Sequence, residues 1–262
     1  MFAVGKLIAA INCFITIMNK PLIYLGTSGL QLPIPKRDFP PEFAEKSRLN
    51  FYASLFNTIE INSSFYKIPQ ANTLNRWAAE ITGEFRFTFK LWKGITHQKG
   101  LEFNAGDAAR FMEVISHVSD RKGCLLVQFP PGLTINAFGQ LEKLLGCLEG
   151  QWPLAVEFRN KSWYVEETYE LLTHFRAAMV LQDIPASATP LMPISDEFAY
   201  LRFHGPEGKY RGSYPDDFLH EYAMYINEWA SENKTVYAYF NNTMGDALKN
   251  LATLKRYIFE LL

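Results

Sequence analysis

The stretch Leu22-Ile23-Tyr24-Leu25-Gly26-Thr27-Ser28-Gly29 decides the fold. It is a short apolar run that ends in small and polar residues, as a first strand and its turn would. An open doubly wound sheet places a G-x-G-x-x-G turn here, so that backbone can approach a pyrophosphate. Gly26 and Gly29 are followed instead by Leu30-Gln31-Leu32, and that pattern is absent. Seven further runs of the same kind lie downstream: Thr58 to Ile61, Arg86 to Phe89, Cys124 to Gln128, Leu154 to Phe158, Ala178 to Leu181, Ala199 to Phe203 and Val236 to Phe240. Stretches with helical periodicity separate most of them, among them Glu42 to Phe56, Ala105 to Val118, Ala137 to Cys147, Glu166 to Phe175, Asp217 to Ser231 and Asp246 to Ile258. Strand-helix alternation implies a parallel sheet, and eight such units predict an α/β fold of the TIM type, a (β/α)8 barrel. One unit departs from the pattern. Asp183 to Glu197 reads DIPASATPLMPISDE, with three prolines and no helical period, so helix six is expected to be missing or vestigial.

Composition sets the frame. With 262 residues, 48% of them hydrophobic and 20% charged, the chain can bury a large core, which excludes disorder. No Ser/Gly/Pro-rich linker divides it, so residues 21–262 are expected to form one domain. The 26 basic and 27 acidic residues leave a net charge of −1, which gives no general reason to approach nucleic acid or an anionic membrane. Cys13, Cys124 and Cys147 are odd in number, widely spaced and without a C-x-x-C pair, which argues against a disulfide framework and fits the cytoplasm. Residues 1–20 form an apolar extension, interrupted and weakly flanked. It is read either as a mis-assigned start, with Met18 the true initiator, or as an added helix closing the barrel bottom.

Barrel enzymes build their sites at the carboxyl ends of the strands, and here nearly every predicted strand ends in polar or ionisable residues. Around the mouth come Thr27 and Ser28, Glu60 and Asn62, Lys90, Gln128, Glu157 and Arg159, Asp183, Arg202 and His204, then Asn241 and Asn242. Residues two apart share a strand face, so Glu60 with Asn62, Glu157 with Arg159 and Arg202 with His204 are expected to point together into the mouth. Glu60, Glu157 and Asp183 balance Lys90, Arg159 and Arg202, leaving the cluster neutral when His204 is neutral; a multi-metal site would be more acidic. Ion pairs that merely brace the barrel top are the competing explanation for any single member. His204-Gly205-Pro206, together with Asn241 to Gly245 at the start of the last helix, suggests an anion site where barrels hold phosphate. Among the aromatic residues just past strands, Tyr66 and Trp92 are candidates to stack on a sugar or base, and His97 is a candidate loop ligand.

The segments Gly26-Thr27-Ser28-Gly29, Phe56 to Tyr66 (FNTIEINSSFY), Thr96-His97, Gln128-Phe129-Pro130-Pro131, Glu157-Phe158-Arg159, Arg202-Phe203-His204-Gly205 and Tyr239-Phe240-Asn241-Asn242 together resemble the YecE-like family, domain of unknown function 72. The resemblance spans about residues 22–255. It implies a TIM-type barrel with a shared site at these strand ends, and it supplies no activity. Leu30 stands where the family often has tryptophan.

The leading expectation is an enzyme acting on a small anionic metabolite, phosphorylated or sugar-like. Arg202, Arg159 and backbone N–H groups would hold the anion, with Glu60 or Glu157 as general base and His204 as acid or base. Lys90 would polarise a carbonyl or, if desolvated, form a Schiff base. A second expectation places a single divalent metal on Glu60, Glu157, Asp183 and His204 or His97, against which the neighbouring Arg and Lys argue. A third is a non-catalytic barrel binding a ligand or nucleic acid. No cofactor is firmly implied, and oligomeric state is not written in the sequence.

Overall fold

The computed structural model describes residues 23–192 and 195–261. The predicted extension at residues 1–20 and Cys13 lie outside them. Nine strand segments follow in order: β1 Ile23–Thr27, β2 Thr58–Ile61, β3 Arg86–Lys90, β4 Lys122–Gln128, β5 Leu154–Glu157, β6 Ala178–Met179, β7 Leu181–Gln182, β8 Phe198–Phe203 and β9 Thr235–Phe240. Every pairing is parallel. Five strands run in the order β2-β3-β4-β5-β6 and four in the order β1-β9-β8-β7, an α/β, TIM-barrel-like arrangement.

The two sheets meet at two seams, each with a local cause. At Val180 the sixth expected strand is divided. Its N–H still donates to the Val156 carbonyl (2.9 Å), while its own carbonyl accepts from Thr189 Oγ1 (2.8 Å), so β6 stays with β5 and β7 turns to β8. Between β1 and β2, side chains replace most of the ladder. Asn57 accepts from the Leu25 N–H (2.9 Å) and donates to the Ile23 carbonyl (2.8 Å). The Tyr52 hydroxyl accepts from the Thr27 N–H (2.8 Å) and donates to the Thr58 carbonyl (3.1 Å). An isolated parallel bridge, Ser28 to Glu60, completes the contact. Gly26 is required here, because a Cβ would lie 2.2 Å from the Thr58 carbonyl oxygen.

The helices are α1 Arg48–Leu55, α2 Ser63–Tyr66, α3 Ala71–Glu80, α4 Lys93–Thr96, α5 Ala105–Ile115, α6 Phe138–Leu148, α7 Glu166–His174, α8 Asp216–Ser231 and α9 Ala247–Glu260. Ser47 caps α1 by accepting from the Asn50 N–H (2.9 Å), and Asn104 caps α5 through the Gly106 N–H (2.7 Å). Among the described residues between β7 and β8 there is no helix, as the prolines predict. Helix α3 was not among the expected segments. Among the described residues no helix is long and apolar enough to cross a membrane.

Strand alternation sorts the core into two compartments. Phe87, Phe89, Val127 and Val156 face the helices on the five-stranded side, and Leu201, Phe203, Ala238 and Phe240 do so on the other. Each of the larger of these buried side chains, the valines, leucine and phenylalanines, contributes about 1.5–3 kcal/mol. The inward residues form a separate cluster that includes Cys124, Leu126, Tyr200, Tyr237 and Tyr239. Its polar atoms are matched: the Tyr239 hydroxyl bonds both Thr58 Oγ1 and Thr88 Oγ1 at 2.7 Å, and Thr88 Oγ1 accepts from the Cys124 N–H (3.0 Å). This plugged interior is the floor of the mouth above it.

Candidate active site

Continuing the inward alternation one step past this floor brings Ser28, Glu60, Lys90, Gln128, Glu157, Arg202 and, further up, Asn62, Arg159, His204 and Asn241 to one end of the sheets. Arg202, 1% exposed, is the centre. Its Nε donates to Glu60 Oε2 (3.0 Å) and Nη2 to Glu60 Oε1 (2.7 Å), a bidentate pair, while Nη1 donates to Glu157 Oε2 (2.6 Å). Glu60 also accepts from the Ser28 hydroxyl and from Tyr200 (2.6 Å), so its carboxylate takes four hydrogen bonds. Glu157 is completed by the Arg159 Nε.

His204 joins the same network. Its Nε2 lies 3.0 Å from Arg159 Nη2 and 3.2 Å from Arg202 Nη1. Guanidinium nitrogens only donate, so this Nε2 is an acceptor and the ring proton sits on Nδ1, facing Asp183 Oδ1 at 3.3 Å. Asp183 also receives the His204 backbone N–H (2.8 Å) and the Tyr214 hydroxyl. The loop needed to bring Tyr214 there turns at Gly205, whose φ is +94° and where a Cβ would lie 2.1 Å from the Arg211 carbonyl oxygen.

Charge follows from this geometry. Burial pushes the Glu60 carboxyl up, but the Arg202 charge and hydrogen bonds outweigh it and the net direction is down. For Glu157 burial is likewise outweighed, by Arg159 first and Arg202 second, holding it well below the usual carboxylate range. The two glutamates overcome burial at Arg202 and raise it. His204 is lowered, mainly by burial, against the hydrogen bond to Asp183. Lys90 is different. Burial first, then the Arg202 charge, brings its ammonium down to about 8, and its Nζ sits 4.1 Å from the centre of the Phe65 ring. Among the described residues no carboxylate pairs with it.

The remaining predicted residues divide. Asn62 Nδ2 donates to Ser28 Oγ (2.6 Å), and its buried Oδ1 has no partner among the described residues. Gln128 Nε2 is turned back onto the Phe129 carbonyl (2.6 Å). His97 stands on the exposed rim, edge-on to Phe65 with Nδ1 bonded to Thr96 Oγ1 (2.8 Å); burial of its ring, then Lys90 and Lys93, lower it to about 4. Trp92 packs on the core and closes over Gly94. Tyr66 is 68% exposed, outside the network. Asn242 turns outward, donating to the Gly212 carbonyl and to Asn250 (3.0 Å each). The loop from Asn241 to Gly245 does not present a free row of amides: Met244, Gly245 and Asp246 donate to the carbonyls of Tyr210, Asn242 and Gly212. Sequence reading missed Tyr200, which bonds Glu60, and Tyr214, which bonds Asp183. The first carried a signal, standing two residues before Arg202 on the same face.

A cleft of about 570 Å³ opens beside the mouth, on the outer face of β2, lined by Gly29, Leu30, Arg48, Ile59, Asn62, Arg76 and Trp77 among others. Of the network only Asn62 reaches it, so this cleft is separate from the paired groups at the strand ends. Among the described residues no three of His, Cys, Asp or Glu converge to hold a metal ion.

The sequence profile described as "Protein of unknown function DUF72" matches residues 24–260. UPF0759 protein YunF of Bacillus subtilis (strain 168) is 30% identical, covering 87% of this chain and 92% of that protein. UPF0759 protein YecE of Escherichia coli (strain K12) is 29% identical over 118 residues, 45% of this chain and 43% of that one. A crystal structure of a DUF72 family protein from Enterococcus faecalis V583 superposes with a TM-score of 0.77 at 22% identity, covering 90% of this chain and 95% of that one. Another, from Thermotoga maritima MSB8, gives 0.67 at 25%, covering 90% and 99%.

Proposed function

The chain belongs to the DUF72 family, and from that premise we propose that it is a cytoplasmic enzyme, one closed (β/α)8 barrel, acting on a small anionic metabolite by acid-base chemistry at the strand ends. One observation carries this: a rigid, fully paired frame of Glu60, Arg202 and Glu157 lies beside a lysine that no carboxylate among the described residues pairs with. Buried ion pairs that only brace a fold satisfy every charge. Here Lys90 and the outer edge of Arg159 are left toward the mouth.

The frame redistributes the roles expected from sequence. Arg202 has no free nitrogen for a ligand, so the anion falls to Arg159 Nη1 and Lys90, helped by the Asn241 amide. Glu60 and Glu157 are held ionised and are weak bases at neutral pH, while His204 has Nε2 covered by two guanidinium groups; all three position their neighbours. Lys90, at about 8, is the group able to exchange a proton near neutrality. A metal on Glu60 or Glu157 would have to displace a guanidinium, which disfavours the metal-dependent alternative.

A thermal-shift screen of phosphorylated sugars, nucleotides, carboxylates, divalent metals and single-stranded DNA tests this. A ligand at a hundred times its dissociation constant stabilises by about 2.7 kcal/mol. The expected result is a shift with one class of small anion that disappears in Arg159→Gln. Stabilisation by metal alone, or by DNA with a steep salt dependence, would sink the reading.

A further inference from the structure

Acid-base chemistry alone does not need an amine held so firmly. Lys90 closes β3, whose backbone is paired to β2 and β4, and its carbonyl accepts from Ser64 Oγ (2.7 Å), so the root of the side chain is fixed. Its Nζ rests against Phe65, a ring that steadies a cation and cannot accept a proton. The charged groups acting on it are Arg202, Glu157, Glu60 and Arg159, and both carboxylates are already committed to guanidinium groups.

We propose that Lys90 captures the carbonyl carbon of a substrate bearing an anionic group, a 2-oxo acid or a phosphorylated aldehyde or ketone, as an imine. This deepens the anion reading above and rests on it. The neutral amine's lone pair attacks the carbonyl carbon, and the carbonyl oxygen leaves as water with the two amine hydrogens. The resulting C=N nitrogen takes one proton from solvent. The iminium restores the positive charge that Lys90 carried, so Glu157 and Glu60 face the same charge on that nitrogen before and after, and the charge added to the mouth is the substrate's own anion. Arg159 Nη1 is the group placed to hold the carboxylate or phosphate, and the flanking guanidinium charges favour the neutral amine needed for attack.

Borohydride trapping tests this. The whole protein is incubated with pyruvate, with glycolaldehyde phosphate or with uncharged glycolaldehyde, then reduced; hydride adds to the iminium carbon and fixes a secondary amine that peptide mass mapping locates. The expected result is an adduct at Lys90 with either anion, favoured roughly tenfold or more over any exposed lysine. It is absent from Lys90→Arg, whose unchanged circular dichroism shows that it folds. Labelling spread over exposed lysines overturns the proposal, and equal labelling by uncharged glycolaldehyde overturns the anionic requirement. A thermal shift with pyruvate and no adduct at Lys90 overturns the imine while leaving anion binding intact. Neither shift nor adduct with any of the three removes both.

Discussion

The two sides of the mouth handle positive charge in opposite ways. Where β2, β5 and β8 converge, each nitrogen of Arg202 donates to one of two carboxylates, with Ser28 and His204 taking further contacts, whereas at the end of β3 Lys90 has an aromatic ring and, among the described residues, no acid paired with it. Both are strand-end cations drawn from one sequence pattern, Arg202 buried and Lys90 partly so. The difference teaches that burial of a charge says little by itself; whether its hydrogen bonds are filled separates structure from chemistry.

The largest test of that contrast is Arg202→Met. It strands two buried carboxylates, and urea unfolding should show a loss of about 3–5 kcal/mol. Acid attacks the same side in the unmodified protein. Glu60 and Glu157 have lowered folded pKa values, so their stabilisation is present above the unfolded value of about 4.3 and is lost as pH falls towards the folded ones. His204, lowered by burial, begins the loss earlier, as pH drops below its unfolded value of about 6.5. Unfolding free energy that stays flat from pH 7 to pH 4 would break the His204 part of this account, and one that stays flat from pH 4 to pH 2 would break the carboxylate part.

On the other side the sign reverses. Lys90→Met should stabilise by roughly 1–2 kcal/mol at pH 7, because it removes a desolvated ammonium that nothing pairs. With a folded pKa of about 8 against about 10.4 unfolded, that gain should fade as pH rises from 8 towards 10.5. A destabilised Lys90→Met would make both sides structural and erase the distinction. Tyr66→Ala, outside the network, should change stability by less than about 0.5 kcal/mol.

Much of the mouth was legible because strand parity is a strict geometric rule. Once β2, β5 and β8 were located, Glu60, Glu157, Arg159, Arg202 and His204 had to face the same way. Parity also points to Tyr200, but a tyrosine in a buried strand ordinarily reads as core. What sequence could not carry was which loop covers which group. The amides after β9 looked like an anion site, and only the fold shows the carbonyls of Tyr210 and Gly212 lying across them. Tyr214 reaches Asp183 from a loop 31 residues away in sequence, with no local signal. The broken sixth strand was invisible for a similar reason: Thr189, which holds the Val180 carbonyl, lies in an irregular proline-rich stretch that has no period to read.

The seams carry a consequence for anyone recombining such proteins. Glu60 and Glu157 belong to the five-stranded sheet and Arg202 to the four-stranded one, so the trio is a rivet driven through the joint between two castings. Halves exchanged between relatives will seat properly only as matched pairs. An arginine delivered without both glutamates, or glutamates without their arginine, leaves raw charge inside the joint and the two castings apart.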